Sequence, residues 1–265
     1  MSPMSGPLSL VGCGNMGGAM LRRWIDSGID PASVTVIDPS TPQVPDGVRV
    51  VAAASDAEPA DTLVLAIKPQ QLDAVAPTLA GTSPALLLSI LAGVEVAALS
   101  ARIPAQAIVR AMPNLPVAIG KGLTALYTTT SDPAARATAQ ALAAPLGHVE
   151  WIADETQFDA VTALSGCGPG FVFRFADALA AAGAALGLPA DQARRLALAT
   201  LEGSALMAAA ADVSPATLAN RVASPGGSTR EGLNVLDRDG ALVRLLTETL
   251  AASARRNKEM AEAAR

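Results

Sequence analysis

The sequence predicts an α/β protein in which a doubly wound parallel sheet is followed by an all-helical domain. Short apolar runs alternate with helical patterns through the first half of the 265 residues, which is typical of βαβ units with right-handed crossovers. Strand patterns stop near residues 147–153. Alanine-rich helical periods then fill the rest of the chain, so we place a boundary between domains 1–153 and 154–265.

Six strands are expected in the first domain, each a short apolar run bounded by turn-forming or charged residues. The predicted strands are Leu8–Val11, Val34–Ile37, Val48–Val51, Thr62–Ile67, Leu86–Ile90 and Ala107–Arg110. A helix is predicted from Met16 to Ser27, and it ends at Gly28, a residue type that commonly terminates helices.

Charge and composition argue against several kinds of partner. The net charge is -5, and no basic run is long enough to indicate a nucleic-acid surface. No apolar stretch reaches the length of a membrane span, and the N terminus lacks the basic start of a signal peptide. The two cysteines, Cys13 and Cys167, lie in glycine-rich turns. We expect free thiols and a cytoplasmic protein without nucleic-acid or membrane partners.

The chain has a single histidine, His148. One histidine argues against a serine–histidine–aspartate triad and against a zinc site with the usual ligands, so no metal is expected. A histidine–carboxylate acid–base pair is disfavoured for the same reason. The sequence instead favours a hydride transfer that needs little acid–base help from the protein.

Residues 171–207 are apolar around nearly the whole helical circumference. Helices of this kind must be buried. A second domain of little more than a hundred residues offers them too little core of its own. We therefore expect a homodimer formed through the C-terminal helices.

A glycine-rich turn, Gly12-Cys13-Gly14-Asn15-Met16-Gly17, follows the first predicted strand and opens the first predicted helix. In this context the motif binds a dinucleotide. Gly12 permits the tight turn, Gly14 lets the backbone approach the phosphates, and Gly17 lets helix and strand pack closely. The amides at the helix start, at Asn15 and Met16, then hold the pyrophosphate. The predicted sheet domain is therefore of the Rossmann type.

Asp38 lies 21 residues beyond Gly17, at the end of the second predicted strand. An acidic residue at this place binds the hydroxyls of the adenosine ribose. No lysine or arginine follows within ten residues to bind a 2′-phosphate, since the next is Arg49. The residues therefore favour NADH over NADPH, unless Asp38 and Ser40 merely form a turn.

Two further segments end at the same edge of the sheet, where ligands bind in open α/β folds. Ala66-Ile67-Lys68-Pro69 closes the fourth predicted strand and is a candidate cofactor contact, although Lys68 could equally be a surface lysine. Asn114 follows the sixth strand. It is a candidate partner for the nicotinamide or the substrate, or else a turn former.

Ser224-Pro225-Gly226-Gly227-Ser228-Thr229 precedes a helix predicted to begin near Arg230. Backbone amides and hydroxyls at a helix start can hold a carboxylate without a basic side chain. The alternative is an N-terminal capping box, because Ser228 and Glu231 have its spacing. Both interpretations can hold together.

Taken together, these motifs resemble the pyrroline-5-carboxylate reductase family over nearly the whole chain. The resemblance rests on the glycine turn, Ala66–Pro69, Arg110–Asn114, Asp159–Pro169 and Ser224–Thr229. It implies a Rossmann domain followed by a helical domain that interleaves into a dimer, with rings of dimers such as a decamer of five. It also implies the last step of proline biosynthesis, in which a nicotinamide hydride reduces 1-pyrroline-5-carboxylate to L-proline.

The resemblance further implies roles for single residues. The substrate carboxylate is held at the dimer interface by Ser224, Gly226, Gly227, Ser228 and Thr229. Thr229 is the catalytic candidate, with its hydroxyl near the imine nitrogen, and Glu155 matches an acidic position on the substrate side. The family commonly uses NADPH, so the resemblance and Asp38 favour different cofactors.

Three segments depart from the family pattern. Cys167 and Gly170 replace a serine and an alanine, Leu115 replaces a threonine, and residues 52–56 lack a common asparagine. These departures affect the cofactor preference and the fine substrate contacts, whereas the reaction class is unaffected.

Two other functions are compatible with the fold. A β-hydroxyacid dehydrogenase has a similar two-domain plan, but it needs a catalytic lysine in the helical half, and residues 154–207 contain no lysine. A sensor that binds NAD(P) without turnover would not need the anion-binding loop at residues 224–229.

Overall fold

The computed structural model of the protein describes residues 6–263, with side chains up to residue 259. Contacts divide the chain into two compact units. Within the described part, the first unit comprises the residues up to 167 together with those from 253 onward, and the second comprises residues 168–252. The first unit contains the sheet, and the second is helical.

One eight-stranded sheet forms the centre of the first unit, with the strand order β3-β2-β1-β4-β5-β6-β7-β8. The strands are β1 (Leu8–Val11), β2 (Val34–Ile37), β3 (Arg49–Val51), β4 (Thr62–Leu65), β5 (Leu86–Ser89), β6 (Ala107–Pro113), β7 (Gly122–Tyr127) and β8 (Gly147–Trp151). Neighbouring strands are parallel except for β6 and β7. The chain passes from β3 back across β1 to β4, which is the doubly wound topology and confirms the predicted fold class.

The sequence pattern predicts the first six strands but not β7 and β8. β8 begins where strand patterns were expected to stop. It is an edge strand with His148 and Glu150 exposed and no fully buried residue, so it lacks the apolar signal of a central strand. β7 runs antiparallel to β6, because the connection, residues 114–121, is too short for a parallel crossover.

Apolar side chains cover both faces of the sheet. The helices of the first unit in the described range are α1 (Asn15–Asp26), α2 (Leu72–Val75), α3 (Val96–Ser100), α4 (Pro133–Ala143) and α5 (Phe158–Val161), followed by a π-helical turn at Thr162–Gly166. α1 and α4 pack in one apolar cluster with β1 and β2. Trp24 of α1 is fully buried there, and its indole nitrogen donates to the Leu142 carbonyl at 2.7 Å. This packing fixes α1 directly behind the glycine turn.

The division of the chain at residue 167 differs from the boundary predicted at residue 153. The physical reason is the burial of Phe158, which is 3% exposed and packs with Met112 and Ala125 of the sheet. A helical pattern marks a change of secondary structure, but it does not show which core its residues join.

The second unit consists of helices in the described residues: α6 (Gly168–Ala185), α7 (Ala190–Ala209), α8 (Pro215–Arg221), α9 (Ser228–Asp237) and most of α10 (Ala241–Ala263). Many large apolar side chains of this unit are exposed in the single chain, among them Leu206 at 60% and Val243 at 71%. None of the helices within residues 6–263 combines the length and apolar character that crossing a membrane requires.

Candidate active site

A cavity of about 990 Å³ lies in the first unit, at the carboxyl ends of the parallel strands. Its wall includes the glycine turn, residues 37–39 after β2, residues 52–55 after β3 and residues 66–69 after β4. Ile90, Ala92, Met112 and Pro113 complete it near β5 and β6. β2 and β6 are four strand spacings apart, roughly 19 Å, so the cavity suits an extended ligand bound across the sheet edge.

Two glycines of the turn lie where no side chain fits. Gly12 has a φ of +88°, and a Cβ atom there would lie 2.7 Å from the Ala66 carbonyl oxygen. A Cβ atom at Gly17 would lie 2.5 Å from the Gly12 carbonyl oxygen. Gly14 has open space around it instead, because a Cβ atom there would have no atom of the described chain within 4 Å beyond its chain neighbours and its own helix. The backbone at Gly14 is therefore accessible to a ligand.

The start of α1 is free to bind an anion. Gly14 is the N-cap residue, and no side chain in the described part of the chain caps the helix. The amides of Asn15, Met16 and Gly17 therefore have no side-chain acceptor, and Gly14, Asn15 and Met16 line the cavity. Such amides, at the positive end of the helix dipole, fit a pyrophosphate group. This geometry fits the predicted dinucleotide.

Asp38 is held in place by three hydrogen bonds. Its Oδ2 atom accepts from the Cys13 amide at 2.8 Å, and its Oδ1 atom accepts from the Ser40 amide at 2.9 Å and the Ser40 hydroxyl at 2.7 Å. Burial raises the pKa of Asp38, but these hydrogen bonds outweigh it and lower the pKa below its ordinary value. Asp38 thus forms the expected turn and also presents a carboxylate on the cavity wall.

The same contact affects Cys13. Burial and the neighbouring Asp38 charge raise the pKa of the Cys13 thiol, while Arg22 opposes this shift. The thiol therefore stays protonated near neutral pH, and it is a poor nucleophile. Cys13 and Cys167 are both free cysteines.

Ala66, Ile67, Lys68 and Pro69 all lie on the cavity wall. The Lys68 amide donates to the Gln71 side chain at 3.0 Å, which stabilises the turn after β4. Lys68 is exposed to solvent. Both descriptions of Lys68 apply, because it lines the cavity and also reaches the surface.

Asn114 connects two backbone segments. Its Nδ2 atom donates to the Ser165 carbonyl at 3.0 Å, and its Oδ1 atom accepts from the Leu123 amide at 2.8 Å. The amide thus joins the π-helical turn to β7. Its neighbours Met112 and Pro113 reach the cavity wall. These contacts favour the structural alternative for Asn114 over a direct ligand contact.

Glu155 is likewise engaged by the protein. Its Oε1 atom accepts from Arg110 Nη1 at 2.7 Å and from the Val96 amide at 2.9 Å. Arg110, which the sequence indicated only as part of a motif, has a side chain only 5% exposed, and Glu155 is 22% exposed. In the sequence, the sign of this ion pair was an arginine at the end of a predicted apolar strand, because a charge in such a place needs a partner.

The loop Ser224–Thr229 belongs to the second unit. Gly227 is the N-cap of α9, and within the described residues no side chain caps this helix. The capping box suggested by Ser228 and Glu231 is therefore wrong, because the helix begins one residue earlier than that box requires. The uncapped amides at the helix start match the predicted anion site.

The loop has a defined internal geometry. Gly226 has a φ of +72°, which favours glycine. The Gly227 amide donates to the Ser224 carbonyl at 3.0 Å, and a Cβ atom at Gly227 would lie 2.7 Å from Ser224 Oγ. Glycine at 227 therefore lets the Ser224 side chain fold over the turn.

Arg230 supports the loop from α9, a role that the sequence pattern did not indicate. Its Nη2 atom donates to the Asn220 side chain at 3.0 Å and to the Ala223 carbonyl at 3.3 Å. Ala223 is buried and directly precedes the loop. Arg230 thus ties the first residues of α9 to the end of α8.

In the described part of the chain, no group of three or more histidine, cysteine or acidic side chains is placed to hold a metal ion. The single histidine, His148, lies on β8 and contacts Glu150 at 3.3 Å on the surface. Both side chains are more than half exposed.

Two protein families match separate parts of the chain. Residues 155–260 match the family described as pyrroline-5-carboxylate reductase dimerisation. Residues 7–93 match the family described as NADP oxidoreductase, coenzyme F420-dependent. The sheet domain is therefore an NAD(P)-binding domain, and the helical half is a dimerisation domain. The exposed apolar side chains of α6, α7 and α10 agree with dimerisation.

Several relatives align with nearly the whole chain. The pyrroline-5-carboxylate reductase of Pseudomonas aeruginosa is 35% identical over 270 residues, covering 98% of this chain and 98% of the relative. The enzyme of the same name from Synechocystis sp. is 36% identical over 266 residues, covering 97% and 99%.

Solved structures show the same fold. A pyrroline-5-carboxylate reductase from Coxiella burnetii superposes with a TM-score of 0.86 at 31% identity, covering 97% of this chain and 98% of that one. The pyrroline carboxylate reductase of Plasmodium falciparum, solved with NADP bound, gives a TM-score of 0.82 at 25% identity, covering 96% and 98%. Because relatives above 30% identity span nearly all of both chains, this chain belongs to the pyrroline-5-carboxylate reductase family.

Proposed function

We propose that the protein reduces the C=N bond of 1-pyrroline-5-carboxylate with NAD(P)H, giving L-proline in the last step of proline biosynthesis. The observation that carries this proposal is the match to reductases of that name over nearly the whole of both chains. The cavity at the glycine turn and the uncapped start of α9 support it, since they offer one site for a dinucleotide and one for a carboxylate.

The first unit holds the cofactor. The amides of the glycine turn bind the pyrophosphate, and Asp38 binds the adenosine ribose. Residues 66–69 and residues 112–113 form other parts of the cavity wall. When bound, the nicotinamide supplies the hydride that reduces the imine carbon.

The loop Ser224–Thr229 holds the substrate. Its amides and hydroxyls bind the carboxylate. The Thr229 hydroxyl lies near the imine nitrogen, and its oxygen accepts a hydrogen bond from the N–H that forms when water protonates this nitrogen. A protonated imine accepts a hydride readily, so the main task of the protein is alignment, which contributes several kcal/mol to lowering the barrier. A reaction that depends on alignment more than on acid–base catalysis by the protein is consistent with a chain whose single histidine lies on the surface.

We also propose a preference for NADH over NADPH. Asp38 presents a carboxylate on the cavity wall, and its charge would repel a 2′-phosphate. The relative from Plasmodium falciparum was solved with NADP bound. Parallel titrations with both cofactors test it, and a lower KM for NADPH than for NADH would overturn it.

One assay separates the proposed reaction from its rivals. Oxidation of NADH or NADPH is followed with 1-pyrroline-5-carboxylate and without substrate, and reduction of NAD+ or NADP+ is followed with a hydroxy acid. The proposal expects turnover with the cyclic imine alone. Turnover with the hydroxy acid would support a β-hydroxyacid dehydrogenase, although residues 154–207 contain no lysine. Cofactor binding without turnover would support a sensor.

For the assembly, we propose homodimers that associate further into a decamer of five dimers, working in the cytoplasm. The exposed apolar surface of the helical unit supports the dimer, and the free thiols of Cys13 and Cys167 support a reducing compartment. Sedimentation at micromolar concentration tests the assembly. A monomer would overturn the dimer, and a dimer that forms no larger species would overturn the decamer.

A further inference from the structure

A partly buried ion pair, Arg110–Glu155, connects segments that also contribute residues to the cavity wall. Arg110 Nη1 and Glu155 Oε1 are 2.7 Å apart, and the Arg110 side chain is 5% exposed. The guanidinium also lies over the Phe158 ring, with its carbon 4.3 Å from the ring centroid. A cation in this arrangement is held by the carboxylate on one side and by the aromatic face on another.

The pair joins three segments that are far apart in the sequence. Arg110 is on β6, three residues before Pro113. Glu155 belongs to the turn before α5, and its Oε1 atom also accepts from the Val96 amide at the start of α3. Val96 follows the loop of residues 90–95, which leaves β5. One carboxylate oxygen therefore ties the β5–α3 loop to β6.

Both tied segments form one end of the cavity. Ile90 and Ala92 come from the β5–α3 loop, and Met112 and Pro113 come from β6. Asp38, at the adenosine end, follows β2, on the far side of β1 and β4 in the strand order. With the pyrophosphate at the glycine turn beside β1, the wall at β5 and β6 receives the nicotinamide half of the cofactor.

The ion pair is not expected to add much to the stability of the fold. Removing two charges from water is costly, and a well-packed apolar pair is often as stable. Arg110 Nε is buried, and among the described residues no acceptor reaches it, so the burial of this charge is incompletely compensated. A positioning role gives a reason for keeping the charges.

We propose that Arg110 and Glu155 are positioning residues for the nicotinamide end of the cavity. Glu155 acts through the Val96 amide and Arg110, and not by touching the substrate as its family position had implied. The pair holds the β5–α3 loop and the end of β6 at the spacing that places the nicotinamide against the substrate. This inference rests on the proposed reaction for its kinetic part, whereas its binding part needs only an NAD(P) cofactor.

The test uses Glu155→Gln in the full chain, with Glu150→Gln as the matched control. Glu150 is also a carboxylate in the first unit, but it is 59% exposed on β8. Binding of NADH is compared with binding of ADP-ribose, which has the adenosine, pyrophosphate and second ribose but no nicotinamide. Steady-state kinetics with 1-pyrroline-5-carboxylate give kcat and the imine KM.

For Glu155→Gln we expect ADP-ribose affinity equal to that of the parent and NADH affinity reduced about tenfold. We expect kcat to fall on the order of a hundredfold, the effect of misplacing reacting groups by about 1 Å, and the imine KM to stay unchanged. Glu150→Gln should match the parent in all four quantities. A raised imine KM with unchanged NADH affinity would overturn the proposal in favour of direct substrate contact. Equal losses for NADH and ADP-ribose would overturn it in favour of general damage to the fold.

A second variant covers the case in which Glu155→Gln does not fold. The double variant Arg110→Met with Glu155→Leu removes both charges together. It should regain the thermal stability that Glu155→Gln loses. The proposal expects this double variant to keep the low kcat and the weak NADH binding. Full recovery of both would overturn it, because the pair would then serve stability alone. If the parent protein itself does not reduce 1-pyrroline-5-carboxylate, the proposed reaction fails, while the comparison of NADH with ADP-ribose still decides the positioning role.

Discussion

At the residue scale, the glycines of the first turn have different physical tasks. Gly12 and Gly17 face backbone atoms of the chain itself, whereas Gly14 faces open space. A side chain at Gly17 therefore disturbs the packing of α1 on the turn, while a side chain at Gly14 projects toward the ligand. Substitutions at the two positions should have separable effects.

Gly17→Ala should lower the free energy of unfolding by about 1–3 kcal/mol, as overpacking does, because its Cβ atom meets the Gly12 carbonyl oxygen at 2.5 Å. Gly14→Ala should leave stability nearly unchanged and weaken dinucleotide binding. Urea unfolding and cofactor titration measure the two effects. Equal stability of the two variants would contradict this assignment.

Thr229→Ala should lower turnover more than it weakens NADH binding, because we propose that its hydroxyl acts near the imine and that the first unit binds the cofactor. Thr229→Ser keeps a hydroxyl and is the control expected to retain most of the turnover. The measurement combines kcat with an NADH titration by fluorescence. Loss of both quantities to the same degree would count against the role of Thr229.

Asp38 should make a pH-dependent contribution to stability. Its folded-state pKa is lowered, so its contribution is present above the unfolded pKa of about 3.9. That contribution is lost as the pH falls through the lower folded pKa. The difference in unfolding free energy between the parent and Asp38→Asn should therefore shrink as the pH falls below about 4. A difference that grows on acidification would show that the hydrogen bonds do not favour the charged form.

At the element scale, the two anion sites that we propose both lie at helix starts. α1 and α9 both have glycine as the N-cap residue and no side-chain cap in the described structure. The backbone groups left open at such positions need a partner. In α1 the turn is braced by Asp38, and in α9 the loop is braced by Arg230.

Arg230→Met should raise the KM for 1-pyrroline-5-carboxylate about tenfold, the effect of losing roughly 1.4 kcal/mol of binding. The reason is that the loop before α9 loses its tie to the Ala223 carbonyl and the Asn220 side chain. NADH affinity should stay unchanged. Arg256→Met, which removes an exposed surface pair with Glu259, is the control. A change confined to NADH affinity would contradict this role.

At the scale of the whole molecule, the helical unit exposes more apolar surface than a stable single chain usually does. Leu206, Met207 and Val243 are each at least 60% exposed. Large exposed apolar patches mark interaction surfaces, and the match of residues 155–260 to a dimerisation family identifies the interaction as dimerisation.

Leu206→Glu should shift the protein from dimer toward monomer, because it places a charge on this apolar surface. Sedimentation across a range of concentrations measures the shift. Ala134→Glu adds the same charge at an exposed position of α4 in the first unit and should leave the dimer intact. An unchanged dimer in Leu206→Glu would place the interface elsewhere on the unit.

The amino-acid sequence by itself determined the fold class, the first six strands and the two glycine loops. These features depend on local periods and on backbone conformations that glycine permits, which neighbouring residues reveal. Only the tertiary structure decided the antiparallel β7, the edge strand β8, the structural contacts of Asn114 and the pairing of Arg110 with Glu155. These depend on which distant segments the folded chain brings together, and a charge such as Glu155 acquires its partner only when β6 and the turn before α5 meet.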